Sequence, residues 1–351
     1  MRRLDWYVGG TVLRAILIVL MVLLALDAVS DLLEQTGDLS ADYNLGAALL
    51  YVLLKIPGSA VDYLGFAALI GCLMGVGGLS NNSELAVMRA AGVSGLQIFR
   101  MVLKPALLII LAGVLVAEYV APGLEQIAQA RKDLLRGSTS QQQAEGTWIR
   151  DEDEYVHINA VYPNGVLYGV SRFRVSGGEL DAISFSQTVL WDGSRWLEGN
   201  IRATEFGGSY TSAEDISSRT WRTQLSPEII AMASLGPEQL SMRDLQTYAE
   251  YLGYESRQAG AYRVAFWNRM LQPVAVAALV LVGFSFVFGS NRSVPMSQRI
   301  FAGVIVAVVF KLAQDILGPA STIWGFSPAV AVAIPIGLTL LLGLLLLRRQ
   351  G

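Results

Sequence analysis

Few residues of this chain have the types and spacing that catalysis requires. No GxxxxGKS/T loop is present to hold the phosphates of a nucleotide, and the single histidine, His157, excludes a site built on several histidines. The acidic run Asp151–Glu154 lacks the spacing and the glycine of a calcium-binding loop, so we interpret it as a solvated turn. We therefore expect no enzyme active site, and no cofactor or metal held by this chain.

Lys311 and Asp315 stand four positions apart inside an apolar stretch. At this spacing the two side chains share one face of a helix and can form an ion pair. A charge inside a membrane costs a few kcal/mol unless it is paired or hydrated. Two interpretations stay open: a neutralised structural pair, or the polar lining of an internal cavity.

Other charged residues lie beside apolar stretches, where they could meet a charged ligand. Asp27 and Asp31 stand near the end of the first stretch. Arg131, Lys132 and Arg136 follow the third stretch, and they would suit anionic groups of a ligand. The alternative is that they are ordinary helix charges in contact with water.

The segment Ser83–Gly92 has the pattern of a short amphipathic helix. Ser83 or Asn82 can cap its start, and Gly92 can end it in a left-handed conformation. Its candidate contact residues are Glu84, Leu85, Met88, Arg89, Ala91 and Gly92. Two turns are too short to be stable alone, so we predict that this helix seats in the groove of a partner. A helix lying on the membrane surface is the alternative.

These residues lie on or beside apolar blocks of membrane-spanning length. Hydrophobic residues make up 53 % of the 351 positions and come in blocks rather than at amphipathic spacing. The predicted spans, each near the ~20 residues that a crossing needs, are Val8–Ser30, Pro57–Leu79, Val102–Ala121, Met270–Phe288, Ile300–Pro319 and Pro328–Leu347. We interpret Asn44–Ile56 as an interfacial helix rather than a seventh span.

Charges beside the spans predict their orientation. Both termini and the second and fourth connections are basic, through Arg2, Arg3, Arg14, Arg89, Arg100, Lys104, Arg292, Arg299, Arg348 and Arg349. The first connection is acidic, with Asp31, Glu34, Asp38 and Asp42 against Lys55. Because basic loops stay in the cytoplasm, we expect cytoplasmic termini and a central domain on the outer side.

A mostly polar segment, residues 125–268, separates the apolar halves 1–124 and 269–351. It contains short β-branched and aromatic runs, the last at Thr220–Leu225, separated by turn signals such as Pro163-Asn164-Gly165. Val189–Leu197 has the pattern of a hairpin with a tight turn. The predicted fold is thus six membrane-spanning α-helices with an inserted antiparallel β-jellyroll-like domain.

The layout and several motifs resemble the LptF/LptG (YjgP/YjgQ) permease family. The motifs are Ser83-Glu84-Leu85-x-x-Met88-x-Ala90-x-Gly92, Glu118-Tyr119-Val120-Ala121-Pro122 and Arg292-Ser293-Val294-Pro295-Met296. The opening Leu4-Asp5-x-Tyr7-x-Gly9 and the Arg292 motif are more similar to the LptG branch. The resemblance covers essentially the whole chain.

This resemblance implies an inner-membrane permease that forms a heterodimer with an LptF-like subunit. It implies two LptB-like cytoplasmic ATPase subunits, which use ATP and Mg, and an LptC-like partner that joins the periplasmic jellyroll in a bridge towards the outer membrane. The implied cargo is lipopolysaccharide, taken from the outer leaflet. The net charge of −3 gives no reason to expect a nucleic-acid partner.

The resemblance also implies roles for individual residues. Glu84 through Gly92 match the coupling helix (residues 82–92) that docks on the ATPase, and the first and fifth spans match lateral gates for lipid. Arg131, Lys132 and Arg136 occupy the neighbourhood where family members meet the phosphates of lipid A. Because Asp27, Asp31 and Glu34 make the first span acidic there, divalent cations or basic residues of the partner subunit would have to bridge the gap.

Two other classes of function are alternatives to transport. A membrane-anchored scaffold could use the β-domain to recruit envelope proteins without moving lipid. A membrane enzyme acting on lipid is disfavoured, because no nucleophile stands with a base in the sequence.

Overall fold

The computed structural model describes residues 2–39, 42–137, 146–151, 153–161, 165–207, 210–223, 225–253, 257–288 and 295–348. The chain divides into two units. The helical unit contains Met1–Ser30, Ile56–Pro122 and Ser241–Gly351, and the sheet unit contains Asp31–Lys55 and Gly123–Leu240. The predicted insert 125–268 ends inside a long helix, and its residues from Ser241 onward belong to the helical unit.

Eleven α-helices are present in the described part of the chain. They are α1 (Arg2–Thr36), α2 (Leu45–Asp62), α3 (Leu64–Asn81), α4 (Glu84–Ala90), α5 (Gly95–Tyr119), α6 (Ala121–Gly137), α7 (Pro227–Ala233), α8 (Met242–Tyr251), α9 (Arg257–Phe288), α10 (Met296–Trp324) and α11 (Pro328–Arg348). By length and composition, α1, α2, α3, α5, α9, α10 and α11 could cross a membrane. This set contains one helix more than the six predicted spans.

The additional helix arises around the predicted second span, Pro57–Leu79. Residues 45–62 form α2, which continues through Pro57, and α3 follows after Tyr63. Backbone bonds flank Tyr63 on both sides: its N–H donates to the Ser59 carbonyl at 3.0 Å, and its carbonyl accepts from Ala67 at 2.9 Å. A proline removes one donor, and apolar helices tolerate that loss. The placement of Asn44–Ile56 at a membrane interface stays a prediction.

Two glycines of α3 allow close packing in the helical unit. A Cβ atom at Gly71 would overlap the backbone of Ile16, and one at Gly75 would lie 2.9 Å from the Cα atom of Val12. Both contacts join α3 to α1. The spacing Gly71-x-x-x-Gly75 is the small-residue pattern that lets helix backbones approach inside membranes.

The sheet unit holds a single six-stranded antiparallel sheet. Its strands are β1 (Thr147–Asp151), β2 (Glu154–Val161), β3 (Leu167–Ser176), β4 (Glu179–Trp191), β5 (Trp196–Gly207) and β6 (Tyr210–Trp221). The inserted antiparallel domain is therefore confirmed. The strands follow one another in chain order, so the described sheet is a meander without the Greek-key crossovers of a jelly roll.

One predicted strand differs from the structure, and some predicted features lie outside the described residues. The predicted last strand, Thr220–Leu225, is wrong, since β6 runs from Tyr210 to Trp221 and consists mostly of polar residues. Several predicted features lie outside the described residues, namely Pro163 and Asn164 of one turn, Arg292, Ser293 and Val294 of the third motif, and Arg349.

The predicted hairpin is present, and Asp192 shapes its turn between β4 and β5. The Asp192 carboxylate accepts the backbone N–H groups of Ser194 and Arg195 at 3.0 and 2.9 Å, and Gly193 adopts a φ of 96°. The Arg195 guanidinium also contacts the carboxylate at 3.0 Å. The guanidinium and the N–H groups hold the pKa of Asp192 well below its usual range.

One face of the sheet is buried beneath α7. The side chains that form this core include Val156, Ile158, Val170, Val189, Trp196, Trp221, Leu225 and Ile230. A fully buried carboxylate, Glu198, also belongs to this face. It accepts hydrogen bonds from Arg172 at 3.1 Å and from Arg219 and Ser186 at 3.0 Å, so its charge is compensated.

Candidate functional site

The candidate coupling helix forms as α4. It starts after Ser83, whose φ is 62° and whose side chain caps no backbone group, so the predicted cap is wrong. Its end is as predicted: Gly92 has a φ of 86°, and its N–H donates to the Arg89 carbonyl at 3.0 Å. The Val93 N–H donates to the Met88 carbonyl at 3.0 Å, which completes a Schellman motif.

The structure buries two of the three residues of the apolar edge that the sequence assigned to a partner, and it leaves the third, Ala91, exposed. Leu85 and Met88 are only 6 % and 7 % exposed, and they belong to the core of the helical unit. Val87 is 67 % exposed, and Ala86 and Ala90 are also exposed. Leu85 and Met88 therefore anchor α4 to its own chain, and the surface open to a partner is centred on Val87.

The two charged residues of α4 both have contacts within the chain. The Glu84 carboxylate lies beside the hydroxyl of Tyr7 in α1. Arg89 is exposed, and its guanidinium carbon lies 5.9 Å from the ring centre of Phe288 in α9. This distance is within the range of a cation–π contact.

Lys311 and Asp315 form the predicted ion pair on α10. The Lys311 Nζ atom lies 2.8 Å from Asp315 Oδ1, and the side chains are 55 % and 53 % exposed. The pair therefore lies on the outer surface of this chain and lines no interior cavity of it. A polar lining would have to form between this chain and another.

The charged residues after the first apolar stretch are paired within the chain. Asp31 lies 2.9 Å from Lys55, and Asp38 lies 3.0 Å from Lys132. Asp27 accepts a hydrogen bond from the Tyr63 hydroxyl at 2.8 Å. Lysines thus pair with two of the carboxylates of this acidic segment, and across the described residues no cluster of three or more potential metal ligands is found.

The three basic candidates of α6 differ in their surroundings. Lys132 is largely buried, since its side chain is 12 % exposed and its Nζ atom lies 5.1 Å from the ring centre of Tyr51. Arg131 is exposed. Arg136 lies in α6, but its side chain is outside the part that the structure describes. Arg131 is therefore the candidate that the structure shows open to a ligand.

The sequence places Glu118 near the end of the third predicted span without indicating a partner, and in the structure it joins two distant helices. Its carboxylate accepts the backbone N–H of Met242, in the first turn of α8, at 2.9 Å. Ser241 caps the same helix, because its hydroxyl accepts the Asp244 N–H at 3.2 Å. The end of α5 is thereby tied to the start of α8. An acidic residue at the end of an apolar block was the available signal, but its partner is 124 positions away.

Comparison with known proteins agrees with this architecture. The family model for the lipopolysaccharide export system permease LptF/LptG matches residues 6–349. The chain is 31 % identical over 357 aligned positions to the permease protein LptG of Escherichia coli K12, which covers 99 % of this chain and 98 % of that protein. It is 28 % identical to LptG of Haemophilus influenzae, over 95 % of this chain and 94 % of that one.

The match therefore extends across the apolar halves and the inserted sheet alike. It includes α4, the Glu118 segment and α10, whose residues the sequence motifs singled out. The chain is a transporter subunit rather than an enzyme, and it belongs to the LptF/LptG family of lipopolysaccharide export permeases.

Proposed function

We propose that this chain is the permease subunit of an ATP-driven complex that extracts lipopolysaccharide from the outer leaflet of the inner membrane. The cargo would then pass to a periplasmic bridge that includes the sheet unit. The family match over residues 6–349 carries this proposal. It is supported by seven described helices of membrane-spanning length and by the inserted antiparallel sheet.

The energy for extraction enters through α4. The sequence has no phosphate-binding loop of its own, so ATP and Mg would be used by two LptB-like cytoplasmic subunits. The exposed face around Val87, with Glu84 beside it, would dock on them. Leu85 and Met88 support the docking indirectly, because their burial in the core holds α4 in place.

The remaining partners are proposed from the family resemblance, and the surfaces and topology support them. An LptF-like subunit would cover membrane-exposed faces of α1 and α10, where Leu26 and Ile316 are more than half exposed. An LptC-like protein would contact the sheet unit in the periplasm, opposite the cytoplasmic termini. Arg131 is the exposed candidate for a phosphate of the cargo, and its neighbour Lys132 is already paired with Asp38.

Charge reversal at Glu84 tests the docking of the ATPase. The full chain is expressed with its LptF-like and LptB-like partners, and the amount of ATPase that co-purifies from detergent is measured. Glu84→Lys is expected to remove most of it. Glu179→Lys is the matched control, because Glu179 is an exposed acidic residue at the start of β4. Undiminished co-purification with Glu84→Lys and with residues 83–92 deleted would contradict the coupling role.

A membrane-anchored scaffold could also retain an ATPase, so a second measurement is needed. The complex is placed in vesicles loaded with lipopolysaccharide, and the transfer of lipid to an added soluble LptC-like acceptor is followed with and without ATP. Transport predicts transfer that depends on ATP. A scaffold predicts that the acceptor binds while no lipid reaches it.

A further inference from the structure

The cytoplasmic end of α9 contacts both α4 and α10. Phe288, the last residue of α9, has the Arg89 guanidinium of α4 5.9 Å from its ring centre. The residue before it, Val287, accepts a hydrogen bond through its carbonyl from Arg299 of α10, at 3.3 Å. Two consecutive residues therefore connect the candidate coupling helix to a membrane helix.

Each of these contacts satisfies a physical need of the helix end. The last four carbonyls of a helix have no partner within it, and a basic side chain from outside can bond to one of them. Arg299 does this for α9. The Phe288 ring presents its electron-rich face to the cation of Arg89. Arg89 is exposed, so it makes this contact without burying its charge.

The Phe288 ring packs against buried residues of the core of the helical unit. The ring stacks on Phe284 with centroids 4.3 Å apart, and Phe284 lies 5.1 Å from Phe99 of α5. Phe284 is only 1 % exposed. Because close-packed interiors transmit displacement with little compression, a movement of α4 that shifts Phe288 must also shift its neighbours.

We propose that the end of α9 is a relay that couples α4 to α10, with Arg89 and Phe288 as its positioning residues. This inference rests on the proposed docking of the ATPase on α4. It changes the role of Arg89, which transmits movement inside the chain rather than binding the ATPase. The movement reaches α10 through Arg299, and α10 carries the exposed Lys311–Asp315 pair.

The test measures how much lipopolysaccharide is released per ATP hydrolysed by the assembled complex in vesicles. Phe288→Leu and Arg89→Ala are each expected to lower this ratio about two- to fivefold. This factor is equivalent to the free energy of one exposed cation–π contact. The double variant should be no worse than the stronger single one, since both remove the same contact. The ATPase should co-purify in wild-type amounts throughout.

Matched variants separate the relay from a general loss of packing. Phe288→Tyr keeps the ring and should retain the wild-type ratio, as should Phe286→Leu, which removes a partly buried ring from the same stretch of α9. A wild-type ratio in Phe288→Leu would overturn the relay. Loss of ATPase from Arg89→Ala would also overturn it, because Arg89 would then be a docking contact. If the ATPase is retained both in Glu84→Lys and when residues 83–92 are deleted, the proposed docking fails instead, and this result is distinct from the other two.

Discussion

Glu198 places a carboxylate in the interior of the sheet unit, where its side chain is out of contact with solvent. Its side chain is fully buried, and Arg172, whose side chain is 8 % exposed, contacts it at 3.1 Å. Removing one member of such a pair leaves the other charge without compensation. The cluster therefore constrains how the inner face of the sheet can vary.

We expect Glu198→Leu to lower the free energy of unfolding of the sheet unit by about 3–5 kcal/mol, the usual result of breaking a buried pair. Adding Arg172→Met to the same chain should recover part of the loss. Denaturant unfolding of the full chain in detergent, followed by tryptophan fluorescence, measures both. Arg195→Ala is the control, since Arg195 belongs to an exposed pair. Equal losses in Arg195→Ala and Glu198→Leu would refute the argument.

Residue contacts could be predicted where they are local. The Lys311–Asp315 pair and the left-handed Gly92 follow from helical spacing and from the conformations that glycine allows. The pairing of Lys132 with Asp38 could not be predicted, because 94 positions separate them and only the fold brings them together. The burial of Leu85 and Met88 was also missed, since an apolar edge looks the same whether it faces a partner or its own core.

The packing of α3 against α1 depends on glycine residues. Gly71 lies against the backbone of Ile16, whereas Gly78 has no atom within 4 Å of the position that a Cβ would occupy. The two glycines lie on the same helix, so they provide a matched comparison of close packing and open space.

Gly71→Ala is expected to cost about 1–3 kcal/mol, because the added methyl group forces α1 and α3 apart. Gly78→Ala should be tolerated. The melting temperature and the yield of the full chain in detergent measure the difference. If the two variants behave alike, α1 and α3 do not pack through Gly71.

The tie between α5 and α8 gives a separate prediction. Glu118→Ala should raise hydrogen exchange at the amides of the first turn of α8, since the Met242 N–H loses a charged acceptor worth about 1.5–3 kcal/mol. Glu118→Gln retains an acceptor oxygen and should keep most of the protection. Exchange of the full chain is followed by mass spectrometry. Unchanged exchange in Glu118→Ala would mean that Ser241 alone holds the turn.

Elements were predictable where hydrophobic pattern marks them. The apolar blocks identified the long helices, but the interruption at Tyr63 was missed, because Asp62 is the only charged residue in the predicted span Pro57–Leu79. The strand β6 was missed since most of its residues are polar and exposed, and it is held by pairing with β5. Backbone pairing of that kind has no signature in composition.

At the scale of the whole molecule, substitutions of Lys311 and Asp315 test what the exposed ion pair contributes to α10. Lys311→Leu leaves Asp315 as a lone charge, which costs about 2.5–3.5 kcal/mol at the centre of a membrane helix. We expect a lower yield of folded protein. The exchanged pair, Lys311→Asp with Asp315→Lys, restores neutrality and should restore the yield.

Transport measured separately from yield then decides between the two interpretations of the pair. Full activity in the exchanged variant would identify a structural pair, indifferent to which position holds which charge. Normal yield with low lipopolysaccharide transfer would show that the order of the charges matters to the cargo or the partner subunit. An exchanged variant as poorly folded as Lys311→Leu would contradict neutralisation as the role of the pair.

The order of the apolar halves and the insert could be predicted from the sequence, because it depends on long apolar and polar segments rather than on single contacts. An apolar half, a β-rich insert and a second apolar half follow from hydropathy and turn residues, and the structure and the family match agree with them. The division into units was less accessible, since Asp31–Lys55 joins the sheet unit through contacts that are distant along the chain.

The hydrogen bond from Met242 to Glu118 brings together the points where the chain leaves and re-enters the helical unit. The polypeptide between them is an insertion whose two ends are joined by this hydrogen bond, with the Met242 nitrogen 2.9 Å from the Glu118 carboxylate. Extra or missing residues in this insertion need not displace α8, because the hydrogen bond to Glu118 fixes where that helix begins. Evolution could therefore lengthen, shorten or exchange the inserted domain while the membrane helices keep their registration.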